Sequence, residues 1–273
     1  MGKLVVFWSP WHGQAKVTAN MGAVACLLNS DTNDRVIMSH SQFSMADLEG
    51  MFNYRITSEK RKTIYGNSGL SALILRVKQS WLNEEVIEEC LLPVASTTGF
   101  YMLPGTEAHA DVLKESDTEE LVFALLGRDI KNYYEWVFVD ASAGNSKLSM
   151  RLLDAADVVV VNLSQNAATW ERFAVEYPKI AEKKNALFVL GGYDDASRYN
   201  KKNFTRICTF TTPNNIGAVP YNTGLMDAIS DGAVAKFIFA NEGAKKGDEN
   251  YEFIAECRAI GTKIQEIARK GSV

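Results

Sequence analysis

The first 28 residues constrain the fold of this chain more than any other stretch. Residues 4–8 form a short apolar run that predicts a buried strand, and residues 15–28 have the Ala- and Leu-rich composition of a helix. A turn of residues 9–13 lies between them, and Lys16 stands where the helix begins. A strand, a tight turn and a helix that opens with a lysine form the layout of a phosphate-binding loop.

The sequence of this loop differs from the usual G-x-x-x-x-G-K-[ST] pattern. That pattern has glycine where Ala15 stands and serine or threonine where Val17 stands. We therefore predict a phosphate-binding loop of altered sequence. Its candidate binding residues are Gly13, Gln14, Ala15, Lys16, Val17 and Thr18.

Length and composition indicate a globular protein. With 273 residues, of which 47% are hydrophobic, the chain can bury a substantial core, and a single domain over residues 1–273 is the simplest organisation. The net charge of −4 gives no overall basic field for nucleic acid, although a local basic patch stays an alternative. Met1 runs directly into a strand, and no apolar stretch approaches the roughly 20 residues that span a bilayer. We therefore expect a cytoplasmic protein without a signal peptide or a transmembrane segment.

The cysteines do not form a recognisable framework. They are widely spaced, with no C-x-x-C pair, which predicts reduced, mostly buried thiols rather than disulfides or a zinc site. Their positions are Cys26, Cys90, Cys208 and Cys257.

Apolar runs alternate along the chain with stretches of helical periodicity. Strands are predicted over residues 35–40, 99–103, 136–140, 157–163, 186–192, 205–210 and 218–221. Helices are predicted over residues 70–78, 84–92, 118–132, 146–155, 167–183, 224–240 and 251–270, with a charged surface segment at 45–65 and a polar loop at 241–250. The near-continuous apolar strands predict a doubly wound α/β fold, in which helices cover both faces of a mostly parallel sheet.

Ligands of such sheets bind at the carboxyl ends of the strands. Three candidate elements come together there: the loop around Lys16, His40 and Gln42 after the second strand, and Asp140 with Gly144 four residues later. The lysine ammonium can reach a phosphate, assisted by backbone N–H groups and the helix dipole. An aspartate at a strand end beside a phosphate loop is a typical position for a residue that holds Mg²⁺ or the attacking water.

Several segments match, in order, the motifs of one family. The opening loop resembles K-G-G-x-G-K-T-T, residues 137–144 (VFVDASAG) resemble a strand followed by D-x-P-x-G, and residues 152–161 (LLDAADVVVV) resemble the strand that comes next. Residues 219–228 (VPYNTGLMDA) resemble a late segment near the nucleobase, and residues 99–105 (GFYMLPG) resemble a segment before the switch strand. By these motifs the chain resembles the MinD/ParA class of deviant P-loop ATPases, and most of all its pilus-assembly branch, which includes TadZ and CpaE.

The resemblance implies a P-loop NTPase fold, ATP or ADP as the ligand, Mg²⁺ as a further cofactor, and a homodimer. It places Lys16 on the β- and γ-phosphates and Asp140 beside the attacking water or the metal, with Thr18 and Asp140 as Mg²⁺ ligands. The other nucleotide-binding residues that it implies are Gly144, Pro220 and Tyr221. The implied role is that of a localisation or assembly factor, with a protein partner from a pilus or secretion machine or from plasmid or chromosome partition.

The chain also departs from the pattern of this family. The departures are Trp11 at the position of a lysine that crosses the dimer interface, His12 and Ala15 in place of glycines, Val17 in place of a hydroxyl ligand of Mg²⁺, His40 in place of an acid, and Gly191 in place of the asparagine that reads adenine. Of the catalytic set, Lys16 and Asp140 remain. We therefore expect weak or absent ATP hydrolysis.

Each candidate residue has an alternative interpretation. Lys16 can be a solvated lysine at the start of a helix, and Asp140 can be the cap of the next helix. The other polar candidates, which can be ordinary loop residues, are His12, His40 and Gln42.

Other features leave further alternatives open. Trp8 and Trp11 are expected to pack against the edge of the sheet or a partner rather than stack on a nucleobase. Residues 198–202 (RYNKK) form a basic and aromatic patch, for which a solvated loop is favoured over contact with DNA. The apolar stripe of helix 251–270 favours docking on the domain's own sheet over peripheral membrane contact. The alternative to a nucleotide-binding protein is a pseudo-NTPase scaffold that binds no nucleotide and works through protein contacts.

Overall fold

A computed structural model describes residues 1–42, 48–52, 67–94, 97–105 and 115–271 of the chain. Within these ranges the strands are β1 (Lys3–Trp8), β2 (Val36–His40), β3 (Leu92–Pro93), β4 (Phe100–Leu103), β5 (Trp136–Asp140), β6 (Val158–Leu163), β7 (Ala186–Tyr193) and β8 (Ile216–Pro220). They form one sheet in the order β3-β4-β2-β5-β1-β6-β7-β8. The short strand β3 runs antiparallel to β4, and the other pairs are parallel. The predicted mostly parallel sheet is confirmed.

Helices connect the strands. In the described part of the chain they are α1 (Val17–Thr32), α2 (Leu48–Met51), α3 (Gly69–Val77), α4 (Glu84–Glu88), α5 (Glu115–Ala124), α6 (Lys147–Ala155), α7 (Ala167–Glu176), α8 (Pro178–Ala181), α9 (Lys201–Ile207), α10 (Thr223–Asp231), α11 (Val234–Asn241) and α12 (Tyr251–Lys270). A π-helical turn over Leu125–Asp129 and a 3-10 turn over Ile130–Asn132 continue α5.

Strand β1 lies at the centre of the sheet, between β5 and β6. Its alternate residues face two separate hydrophobic clusters: Leu4, Val6 and Trp8 belong to one, and Val5 and Phe7 to the other. The first cluster includes residues of α3, α6, α7 and α9, and the second includes residues of α1, α10, α11 and α12. Because both faces are covered, the central strands are mostly apolar on both faces, as expected for a buried parallel sheet.

The last helix, α12, packs on the domain itself. It contacts α1 and β8, and its stripe at positions 253, 257, 260 and 264 is buried in the second cluster. The predicted docking of this helix on the domain's own core is confirmed. Across the residues that the structure describes, we find no helix with both the length and the apolar character that a bilayer crossing demands.

One predicted strand is wrong. Residues 205–210 carry β-branched and aromatic side chains, but residues 201–207 form the helix α9. Asn200 starts this helix by accepting the Asn203 N–H at 3.1 Å, and Phe204 is buried against the rings of Trp170 and Phe188. Helix capping and tertiary packing therefore override the local β propensity.

Three predicted helices are shorter or interrupted. The helix predicted over 167–183 is divided before Pro178, and the helix predicted over 224–240 is divided by the left-handed Gly232. The helix predicted over 84–92 ends at Glu88, and β3 follows it. Proline and left-handed glycine are ordinary helix terminators, so the boundaries at Pro178 and Gly232 have a local cause.

The segment predicted as a charged surface, residues 45–65, is partly buried. Within it, α2 places Leu48, Glu49 and Met51 in the interior, so the prediction is wrong for these residues. Residues 45–47 and 53–65 of this segment lie outside the described ranges.

Candidate functional site

The loop between β1 and α1 presents the uncapped amino terminus of α1 to a cavity. Gly13 and Lys16 adopt left-handed conformations, with φ of 75° and 53°, and α1 begins at Val17. No side chain caps α1, its first turn has no acidic residue, and within the described residues the N–H groups of Val17, Thr18 and Ala19 have no acceptor. These N–H groups and the dipole of a 16-residue helix together favour the binding of an anion.

Asp140 and Thr18 meet beside this terminus. Asp140 ends β5, is almost fully buried, and accepts a hydrogen bond of 2.5 Å from the Thr18 hydroxyl. Burial raises the pKa of Asp140 to about 6, although the Thr18 hydrogen bond and the nearby His40 and His12 oppose that rise. A hydroxyl and a carboxylate oxygen side by side are ligands that Mg²⁺ accepts.

The side chain of Lys16 points to another wall of the cavity. Its ammonium donates to the Met226 sulfur at 3.3 Å and lies 5.5 Å from the centre of the Tyr221 ring. Lys16 precedes the helix in a left-handed conformation, and its side chain passes over Gly192 toward α10. The structure thus brings Thr18, rather than Lys16, into contact with Asp140.

A buried amide pair holds the loop in place. Asn20 donates to the carbonyl oxygen of Ala15 at 3.0 Å and to Asn162 Oδ1 at 2.9 Å. Opposite them, Gly191 leaves no room for a side chain, since a Cβ there would lie 2.1 Å from the Ala15 oxygen. The sequence predictions missed Asn20 and Asn162. Each of these asparagines interrupts an otherwise apolar segment. Such a pattern could have identified them, because a buried amide seldom lacks a hydrogen-bond partner.

The two tryptophans of the loop pack within the protein. Trp8 is fully buried, and its indole N–H donates to the Gly144 oxygen at 2.9 Å, which ties the β1 end to the turn after β5. Trp11 is half-buried against the first hydrophobic cluster, with the Arg172 guanidinium 5.0 Å above its ring. The expectation that both indoles pack is confirmed, but Trp8 lies on the central strand β1 and not at the edge of the sheet.

His40 forms a buried ion pair behind Asp140. Its Nε2 lies 2.9 Å from Glu49 Oε1, which also accepts the Gly105 N–H at 3.1 Å. Burial lowers the pKa of His40, but the Glu49 carboxylate outweighs that effect, and the net pKa is raised. The pKa of Glu49 is correspondingly lowered by His40 despite its burial. His40 is thus the buried last residue of β2, and the alternative of an ordinary loop histidine is wrong.

We expect Glu49→Gln to lower the free energy of unfolding by about 2 kcal/mol near pH 6, because it leaves a buried imidazolium without its counter-charge. The raised pKa of His40 means that the pair stabilises the fold fully below pH 6.5 and loses this effect as the pH rises through the folded-state pKa. The lowered pKa of Glu49 means that the effect is also lost as the pH falls below 4.5. Urea unfolding at pH 6 and pH 9 measures the change, which should shrink at pH 9.

Glu171→Gln on the exposed face of α7 is the matched control and should change stability by less than about 0.5 kcal/mol. A pH-independent loss in the Glu49→Gln protein would show that the pair is not ionised.

Together these residues enclose a cavity of about 240 Å³ between the loop, the β5 end and α10. The predicted site residues that line it are His12, Gly13, Lys16, Val17, Thr18, Gln42 and Asp140. The other predicted site residues lie around it: Ala15 and His40 are buried, Gln14 and Tyr221 are exposed, Pro220 ends β8, and Gly144 accepts the Trp8 hydrogen bond. In the described ranges, no three His, Cys, Asp or Glu side chains converge as a metal site.

Comparison with known proteins identifies the fold. No protein-family model and no curated protein matches this sequence. Among solved structures, a ParA family ATPase from Chlorobium tepidum TLS is similar with a TM-score of 0.70 and 10% identity, over 96% of this chain and 99% of that one.

Two further structures contain a nucleotide. The septum site-determining protein MinD from Pyrococcus horikoshii OT3, complexed with Mg-ADP, has a TM-score of 0.62 and 12% identity over 99% of both chains. A protein of Borrelia burgdorferi B31 assigned to plasmid partition, bound to AMPPNP, has a TM-score of 0.64 and 14% identity over 99% of both chains. The chain therefore has the fold of the ParA and MinD ATPases.

Proposed function

We propose that this protein is a ParA/MinD-like nucleotide-binding protein with weak or absent hydrolysis, which acts as a localisation or assembly factor. The observation that carries the proposal is the uncapped amino terminus of α1, which opens into a cavity beside Asp140 and Thr18. A helix terminus of this kind at the carboxyl end of a parallel sheet is where α/β proteins bind phosphate groups.

The phosphates of ATP or ADP would bind at the N–H groups of Val17, Thr18 and Ala19. The Thr18 hydroxyl and the Asp140 carboxylate, which lie side by side, would hold Mg²⁺. Bound Mg²⁺ supplies charge neutralisation of the phosphate oxygens. The cavity of about 240 Å³ is smaller than typical ligand pockets, which measure roughly 300–1,000 Å³. We therefore propose that it holds the phosphates, while the nucleobase lies outside it over the exposed Tyr221.

The placement of the charges supports the proposal of weak hydrolysis. Phosphoryl transfer depends on cations that neutralise the charge developing on the transferred group. The Lys16 ammonium instead lies with Met226 and Tyr221, and the first helical position holds the apolar Val17. Contact between Lys16 and a phosphate stays a prediction. It requires the Lys16 side chain to leave its contact with Met226 of α10.

The position of Lys16 also favours the second candidate function, a pseudo-NTPase scaffold that binds no nucleotide. In that case the fold would serve contacts in a homodimer or with a protein partner. Pilus or secretion positioning and plasmid or chromosome partition are the settings that we propose for either function. Genes for pilus or secretion components beside this one would favour the first setting, and a gene for a centromere-binding protein would favour the second.

Calorimetric titration with ATP and ADP, with and without Mg²⁺, separates the two functions. We expect saturable binding that Mg²⁺ strengthens. Thr18→Val should reduce the affinity for Mg²⁺-nucleotide at least tenfold, because it removes a cation ligand and a hydroxyl that orients Asp140.

Thr262→Val, the same substitution on the exposed side of α12, should leave the affinity unchanged. Absence of both heat and a thermal shift at millimolar nucleotide would exclude nucleotide binding and leave the scaffold function.

A further inference from the structure

A second cavity, of about 440 Å³, lies at the far edge of the sheet between α9, α12 and the start of β8. We call it the β8-edge cavity. One part of its lining is apolar: Ile216 and Ile260 are buried below it, and Pro213 and Ala259 stand exposed at its sides. It shares no lining residue with the cavity at α1.

The charge in this cavity is unbalanced. Lys201, Lys202 and Lys263 line it, and Glu256 is the acidic residue of the lining. Glu256 forms an ion pair of 2.5 Å with Lys201. Within the described structure, the ammonium groups of Lys202 and Lys263 have no carboxylate at ion-pair distance.

Lys263 is the central cation. Its ammonium donates to the carbonyl oxygens of Pro213 at 2.7 Å and Ile216 at 2.5 Å, which covers part of the open edge of β8. An ammonium has three donors, so these bonds leave one for a ligand. Burial lowers the pKa of Lys263, and Lys201 lowers it further, against smaller opposing effects of Glu256 and Glu266. An anion in the cavity would relieve both effects.

We propose that the β8-edge cavity binds a small organic anion, whose carboxylate or phosphate contacts Lys202 and Lys263 and whose apolar part packs against Ile216 and Ile260. The β8-edge cavity gives Lys201 and Lys202 a role other than contact with DNA. In the sequence they belong to a basic patch with Arg198, but Arg198 stacks on Tyr199. Lys201 and Lys202 line a partly open cavity.

Calorimetry with acetate, butyrate, hexanoate, inorganic phosphate and hexyl phosphate tests the proposal. Each CH₂ group that enters the apolar part should tighten binding about fourfold, so hexanoate should bind about fifteenfold more tightly than butyrate. Comparison of hexanoate with hexyl phosphate shows which anionic group the lysines prefer. An affinity that does not rise from acetate to hexanoate, or from phosphate to hexyl phosphate, would overturn the proposal.

Two variants test the cationic half. Lys263→Met should weaken hexanoate binding at least tenfold, with circular dichroism to establish that the protein is folded. Lys202→Gln changes an exposed residue outside the core and should weaken binding about threefold, whether or not the first variant folds. Lys246→Gln, in the exposed loop before α12, is the control and should not change the affinity. Unchanged affinity in the Lys202→Gln protein and in a folded Lys263→Met protein would overturn the proposal.

Discussion

Replacing Gly191 by alanine is expected to lower the free energy of unfolding by about 3 kcal/mol. The new Cβ would lie 2.1 Å from the carbonyl oxygen of Ala15 and 2.8 Å from Asn20 Nδ2. Neither atom belongs to a flexible side-chain end that can turn away, because the Asn20 amide is fixed by Asn162. The loop must therefore shift and weaken a buried hydrogen-bond network. Urea unfolding monitored by circular dichroism measures the loss.

Gly243→Ala is the matched control. Gly243 follows α11, does not have a positive φ, and has nothing within 4 Å of the position that a Cβ would take. Alanine there should change the free energy of unfolding by less than about 0.5 kcal/mol. If Gly191→Ala were equally neutral, the close packing of the loop on β7 would be wrong.

The same contact bears on nucleotide binding. In the family that the sequence resembles, an asparagine that reads adenine stands where this chain has Gly191. The carbonyl of Ala15 occupies the space that such a side chain would need. Under the proposed function, a nucleobase would therefore contact other groups, such as Tyr221, which lies beside Lys16.

The main features of the fold could be predicted because their causes are local. Strand β5, for example, is four apolar residues that end in Asp140, and burial of a parallel strand on both faces leaves that pattern in the sequence. The proximity of Asp140 to the loop follows, since adjacent parallel strands carry their carboxyl ends to the same edge. The helix α9 could not be predicted in this way, because Phe204 becomes helical through contacts with distant aromatic residues.

The missing parts of the site have non-local causes. The partner of Asn20 is 142 residues away in sequence, and Glu49 stands in a mixed polar stretch without a periodicity that would mark it as buried. The direction of Lys16 depends on one left-handed residue before α1, a conformation that lysine seldom adopts. A motif match gives the residue type at a position and does not give the direction of its side chain.

Asp140→Asn is expected to stabilise the free protein by about 3 kcal/mol at pH 8. Burial raises the pKa of Asp140 from 3.8 to about 6, so the folded state binds the proton more tightly than the unfolded state does. Stability from this group is therefore fully present below pH 3.8 and is lost as the pH rises through 6. At about 1.4 kcal/mol per pKa unit, the ionised carboxylate costs about 3 kcal/mol at pH 8 and about half as much at pH 5. An asparagine does not titrate and still accepts the Thr18 hydrogen bond.

Urea unfolding at pH 5 and pH 8 measures this gain, and Asp154→Asn on α6 is the control. Asp154 is 76% exposed, and its variant should differ from the parent protein by less than about 0.5 kcal/mol at either pH. An Asp140→Asn protein that is less stable than the parent at pH 8 would mean that other groups compensate the buried charge. We also expect this variant to lose the Mg²⁺-dependent part of nucleotide affinity, because the amide removes the anionic ligand. A gain in stability together with a loss of Mg²⁺ dependence would show that the carboxylate serves the ligand at the expense of the fold.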